Sequence, residues 1–182
     1  MVALRYAARS DIGLGRYRNN QDSGYAGTNL LVVADGMGGH AGGDIASSLA
    51  ISSLIGLDSD SPGADSLQEL EQCIHQAADA IRDRVSEEPE LGGMGTTVTA
   101  LLKHGNRLAL AHIGDSRAYL LHDGTLTQVT SDHTFVQRLV DEGKITADEA
   151  ERHPQRNIVL RVIGDVDAPE DVDTSVREAK EG

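Results

Sequence analysis

TTVTALLKHGNRLALAHIGDSRAYLLHDGTLTQV, residues 96–129, sets the architecture. The stretch falls into short runs, Thr96 to Leu102, Arg107 to Ile113, Arg117 to Leu121 and Thr125 to Val129, that read as strands. Their joins are His104-Gly105-Asn106, Gly114-Asp115-Ser116 and His122-Asp123-Gly124, and the Asp-Gly pair in the last is a strong hairpin signal. An antiparallel meander follows from that pattern.

Upstream, the period is helical. Leu67, Leu70, Ile74, Ala77, Ala78, Ile81 and Val85 keep the 3, 4, 3 spacing of one helix face, flanked by Cys73 and His75. A second helix is predicted from Asp44 to about Leu57, with Ile45, Leu49, Ile51, Leu54 and Ile55 inward and the Asp44 charge suited to its N-terminus. Before it, Leu30 to Ala34 (LLVVA) reads as a strand buried on both faces. Downstream, Thr134 can cap a short helix carrying Phe135, Val136, Leu139 and Val140 and ended by Gly143. Thr146 with Glu149 predicts a capping box. Helices followed by a meander give an α+β sandwich rather than an alternating parallel sheet.

Composition narrows the function. The 182 residues carry 16 Lys plus Arg against 29 Asp plus Glu, a formal net charge of -13, which works against polyanion partners held by electrostatics alone. Five aromatics leave little for base stacking, so no nucleic-acid partner is expected. Cys73 stands alone and cannot form an internal disulfide, and Met1 to Ser10 has no apolar signal-peptide core. No apolar run approaches the roughly 18 residues of a spanning helix. The expectation is a cytoplasmic protein without a membrane segment. The length suits one domain, 1–182, whose loop from Asp58 to Asp65 (DSDSPGAD) is no true linker.

The sharpest chemical feature is Val33-Ala34-Asp35-Gly36-Met37-Gly38-Gly39-His40-Ala41-Gly42-Gly43. A carboxylate at a strand end followed by glycines lets carbonyls and carboxylate together approach a hard cation. Residues 36–41 also satisfy the loose G-x-G-x-x-G/A dinucleotide pattern, with Asp58 about twenty residues on. Against that reading, Asp35 would set a negative charge beside a pyrophosphate, and a meander follows rather than a βαβ repeat. Asp115 and Asp132 stand at two further element ends, where each could equally be a turn former and a helix-start acid. Three such acids favour Mg²⁺ or Mn²⁺ over Zn²⁺, which prefers Cys and His. His112, alternating with Leu108 and Leu110, reads as a strand residue with satisfied nitrogens.

The ordered set Arg16-Tyr17-Arg18-Asn19-Asn20-Gln21-Asp22-Ser23, Val33 to His40, Gly95-Thr96-Thr97, Gly114-Asp115-Ser116-Arg117, Asp132-His133-Thr134 and His153-Pro154-Gln155-Arg156-Asn157 resembles the bacterial branch of the PPM, or type 2C, metal-dependent protein serine/threonine phosphatases. The resemblance implies two packed antiparallel sheets flanked by helices, with metals at one edge. It implies that Asp35 bridges two Mn²⁺ or Mg²⁺ ions, that the Gly36 carbonyl binds one, and that Gln21 and Asp22 support that ion's waters. The resemblance further implies in-line attack on phosphorus by a water held between the metals. Asp115 resembles the ligand of a third, looser ion and Asp132 an acid near it; about 141–156 resembles a flap that contributes to substrate choice. The family's phosphate-binding Arg position is occupied by Tyr17, which leaves Arg16, with a one-residue bulge, or Arg18. Met37 replaces a His proposed as general acid in animal members, and His40 is the remaining candidate. Cys73 lacks the C-x5-R context of a thiolate phosphatase and is expected to be structural. Family domains also continue past the point matching Gly182 through two further Asp ligands, so the chain is expected to be a C-terminally truncated domain. Phosphoproteins and a serine/threonine kinase are the implied partners, and a monomer the expected state. The alternative is a phosphatase-like binding module with little turnover.

Overall fold

The computed structural model describes residues 5–12, 19–39, 42–59, 65–164 and 171–179. Among these, β1 (Asp22–Ala26) and β2 (Leu30–Met37) form a hairpin. Helices α1 (Gly42–Leu54) and α2 (Ser66–Glu87) follow, then β3 (Gly95–Thr96), β4 (Val98–His104) and β5 (Arg107–Ile113). The exposed hairpin β6 (Tyr119–His122) and β7 (Thr125–Gln128) leads to α3 (Phe135–Asp141), α4 (Ala147–Glu151), β8 (Ile163–Gly164) and β9 (Asp173–Glu178). The larger sheet runs β8-β3-β2-β4-β5-β9 with β1 also on β2, and every pairing among the described residues is antiparallel. This is the expected α+β architecture of antiparallel sheets flanked by helices.

The core lies between α1, α2 and one sheet face. Leu70, Ile74, Ala77, Ala78 and Ile81 of α2 are buried, as the 3, 4, 3 stripe predicts, against Leu30, Val32, Val98, Ala100, Leu102 and Ile113. Helix α2 starts where the Asp65 carboxylate accepts from Gln68 N–H. Thr134 accepts from Gln137 N–H, and Thr146 with Glu149 forms both halves of its capping box.

Four expectations need correction. First, β2 is buried on one face: Leu30, Val32, Ala34 and Gly36 point inward, whereas Val33, 48% exposed, and Asp35 lie on the opposite face, away from the helices. Period 2 operates even in this apolar run, because the helices cover a single face. Secondly, α1 ends at Leu54 and passes into a 3₁₀ turn at Ile55–Leu57. Its fully buried side is Ala46, Ser47, Ala50 and Leu54, while Ile55 is 44% exposed. Small residues let the helix lie close to the sheet, so the larger Ile45, Leu49 and Ile51 fall to its flanks. Thirdly, the strand expected from Arg117 begins at Tyr119. Fourthly, the strand expected over Thr96 to Leu102 is interrupted at Thr97.

Candidate metal centre and its surroundings

Sheet register builds the site. Asp22 stands directly opposite Asp35 across β1 and β2. On the other side, the pairs Val33↔Thr99 and Gly36↔Thr96 put Asp35 opposite Thr97. One further step along the β4–β5 register, past Val98↔Ile113, puts Thr97 opposite Gly114. A single rung thus crosses four lengths of chain, Asp22, Asp35, Thr97 and Gly114, with Asp115 next in sequence.

Gly36 is required where it stands. A Cβ there would collide with the Gly43 carbonyl at the start of α1, and the reciprocal Cβ on Gly43 would collide with Gly36. Gly36 N–H donates to the Gln21 carbonyl at 3.2 Å, and Ser47 Oγ donates to the same oxygen at 2.7 Å. Gln21, Gly36 and the first turn of α1 are therefore tied together.

Burial, then the Asp22 carboxylate, its hydrogen bond and the Asp115 charge push the Asp35 carboxyl up to about 6. Asp115 is also raised, by burial first and then by Asp132. Clustered acids that repel ionisation are the electrostatic condition a divalent cation relieves. The donors are all oxygen, carboxylates with the Gly36 carbonyl beside them, which suits Mg²⁺ or Mn²⁺. Among the described residues no group of three His, Cys, Asp or Glu side chains is arranged to hold a metal ion. Mg²⁺ characteristically keeps several waters.

Asp132 serves its surroundings through Arg117. The guanidinium is bidentate on the carboxylate, with Nε–Oδ1 at 2.9 Å and Nη2–Oδ2 at 2.6 Å, and Gln128 Nε2 donates to Oδ1 at 3.2 Å. Asp115, Arg117, Asp132, Val136, Arg156 and Asn157 line a hollow of about 730 Å³ between the acid loop and α3–α4. Asp22, Asp35 and Arg117 border a second hollow of about 960 Å³ over the open sheet face.

His112 and His133 support this region from beneath, with ring centroids 4.9 Å apart. Burial first, then neighbouring His133, holds His112 below its usual range and hence neutral. Its Nε2–H faces the Ser131 carbonyl at 3.0 Å, leaving Nδ1 to the Thr99 hydroxyl at 2.9 Å. His133 Nδ1 accepts from Gly114 N–H at 3.0 Å, which places the ring proton on Nε2 toward Asp173 Oδ2 at 3.1 Å. Burial alone would raise Asp173, but hydrogen bonds from His133 and Arg161 outweigh it and hold the carboxyl low.

The sequence model described as Protein phosphatase 2C matches residues 15–166. The chain belongs to the protein phosphatase 2C family. It is 59% identical over 162 residues to the serine/threonine protein phosphatase PstP of Mycobacterium tuberculosis, covering 89% of this chain and 31% of that protein. The chain thus spans about a third of the length of that curated relative. The crystal structure of M. tuberculosis PstP/Ppp superposes with a TM-score of 0.93 at 55% identity, covering 98% of this chain and 75% of the other. A structure of the PstP catalytic domain in complex with two manganese ions gives a TM-score of 0.89 at 53% identity, over 99% and 74% of the two chains.

Within this phosphatase 2C chain, Asp22, Asp35, Gly36 and Gln21 are brought together, and Asp115 and Asp132 are brought to the adjacent loop. Arg16, Arg18 and His40 lie outside the described residues. The dinucleotide reading of Gly36 to Ala41 does not hold: the strands are antiparallel, and Asp58 is engaged by Tyr25 OH at 2.7 Å, Asn29 N–H at 2.7 Å and Thr28 N–H at 3.2 Å. Burial, then Glu69, raises the Cys73 thiol, which disfavours the thiolate a cysteine phosphatase needs. Sequence reasoning missed the supporting roles of Arg117, His133 and Thr99. For Arg117 and His133 the signal was closeness in sequence to Asp115 and Asp132, whereas Thr99, inside the acid-free strand β4, carried none.

Proposed function

We propose that the chain is the metal-binding part of a Mn²⁺- or Mg²⁺-dependent protein phosphatase acting on phosphoserine and phosphothreonine. The observation that carries this reading is the cross-strand Asp22–Asp35 pair, raised Asp35 carboxyl included, beside the Gly36 carbonyl. Asp35 and Gly36 would hold two cations; Gln21 and Asp22 would orient water around them. Asp115 would hold a third, and Asp132 would tune it through Arg117. When bound, the ions supply an ionised water for in-line attack on phosphorus and offset charge on the attacking and leaving oxygens. Arg16 or Arg18 would bind the phosphate, and His40 is the candidate proton donor to the leaving group. About 141–156, including α4, would act as the flap of the single domain, over the hollow beside Asp115.

The wider reading follows from the family: phosphoprotein substrates, a serine/threonine kinase as the opposing enzyme, a signalling role and a cytoplasmic domain. Among the described residues, no helix is long and apolar enough to cross a membrane. The test is phosphate release from a phosphothreonine peptide with Mn²⁺ and with chelator. Turnover should require Mn²⁺ and be lost in Asp35→Asn. Equal rates under both conditions would refute the metal mechanism, and peptide binding without hydrolysis would favour the binding-module alternative.

A further inference from the structure

Thr97 is fully buried at the centre of the rung that joins the two acid motifs. Its backbone N–H donates to Asp35 O at 3.0 Å, as a sheet ladder requires. The return bond is unusual: Asp35 N–H donates at 3.0 Å to Thr97 Oγ1, and the hydroxyl takes the place of the residue's own carbonyl. That carbonyl accepts instead from Thr96 Oγ1 at 3.0 Å, and the same Thr96 hydroxyl lies 3.0 Å from Asp35 O. The hydroxyl of Thr97 also lies 2.8 Å from Ser116 Oγ, the residue after Asp115. On the same side, Gly114 adopts φ +109, and a Cβ on it would collide with the Thr97 side chain. Thr97 therefore touches the backbone of Asp35, the hydroxyl of Ser116 and the flank of Gly114 with one side chain.

We propose that Thr97 is a positioning residue that sets the distance between Asp35 and the Asp115 loop, through the hydroxyl relay from Asp35 N–H to Thr97 Oγ1 to Ser116 Oγ. The relay holds the backbone of Asp35 at one end and the side chain of Ser116 at the other, and it engages neither the Asp35 nor the Asp115 carboxylate. Groups that orient metal ligands from behind typically govern affinity by roughly 10–100-fold. The methyl and the hydroxyl have separable duties: the methyl packs on Gly114, and the hydroxyl carries the relay.

The inference rests on Asp35 holding the metal, and its test keeps the two apart. Mn²⁺ affinity is measured calorimetrically on the full chain for wild type, Thr97→Val, Thr97→Ser, Ser116→Ala and Asp35→Asn, with circular dichroism to establish folding. Thr97→Val keeps the shape and removes the hydroxyl, so affinity should fall by roughly 10-fold or more, while Thr97→Ser, which keeps the hydroxyl, should restore it to within about threefold. Ser116 is half-buried at the far end of the relay, and Ser116→Ala should weaken binding by at least about threefold, a readout that survives if Thr97→Val does not fold. Wild-type affinity in folded Thr97→Val, equal loss in Thr97→Ser, or unchanged affinity in Ser116→Ala would overturn the proposal. Unaltered binding in Asp35→Asn would overturn the metal-site reading beneath it.

Discussion

At Asp35, three influences act on one carboxyl: partial burial, the Asp22 acid across the strand and the Asp115 acid from the next loop. With its pKa pushed up to about 6 against an ordinary value near 4, the folded metal-free chain binds more protons than the unfolded chain between those values. Stability of the metal-free chain should therefore decline as pH rises through that window, as this group contributes. A cation requires the ionised form, so Mn²⁺ affinity should drop steeply as pH falls below about 6. Titrations at pH 5.5 and 7.5 check this, and equal affinities would contradict the assignment. Asp132, by contrast, is paired with the Arg117 guanidinium at 2.6 Å. The sequence made Asp35, Asp115 and Asp132 legible because all three stand at element ends and fit a family order. It could not show that Asp22 faces Asp35, since that depends on a strand register set by the whole sheet.

Elements were legible in proportion to their own hydrophobic period. Helix α2 carries its stripe in the sequence, and Ile81 in its C-terminal half is wholly buried. Ile81→Ala should cost about 2–5 kcal/mol in chemical unfolding through lost transfer energy and the cavity left behind. Thr134→Ala removes the acceptor for Gln137 N–H and should cost about 1 kcal/mol, with the effect concentrated in α3. Amide exchange of α3 reports the second effect. Other elements left no such mark. Strand β1, Asp-Ser-Gly-Tyr-Ala, and strand β9, Asp-Thr-Ser-Val-Arg-Glu, are mostly polar and form through pairing with β2 and β5. Helix α1 buries Ala46, Ser47 and Ala50, residues too small to register as an apolar face. The caps at Thr134 and Thr146 were readable because capping is a local hydrogen-bond problem with few solutions.

Across the molecule, the net charge of -13 and the proposed phosphate substrate are at odds unless cations intervene. The fold answers this by placing acids near the end of β2, just after β5 and at the entry to α3. Family membership gives the architecture and the motif order, while the close approach of Gly36 to Gly43 and the rung from Asp22 to Gly114 supply the local geometry. The central claim is that these residues form a centre for hard cations. Its most direct test is an anomalous difference map from crystals of the chain soaked in Mn²⁺. A peak at bonding distance, about 2.1 Å, from an Asp35 carboxylate oxygen is predicted, with the Gly36 carbonyl in the same shell. Manganese bound elsewhere, with no peak at Asp35, would contradict the account.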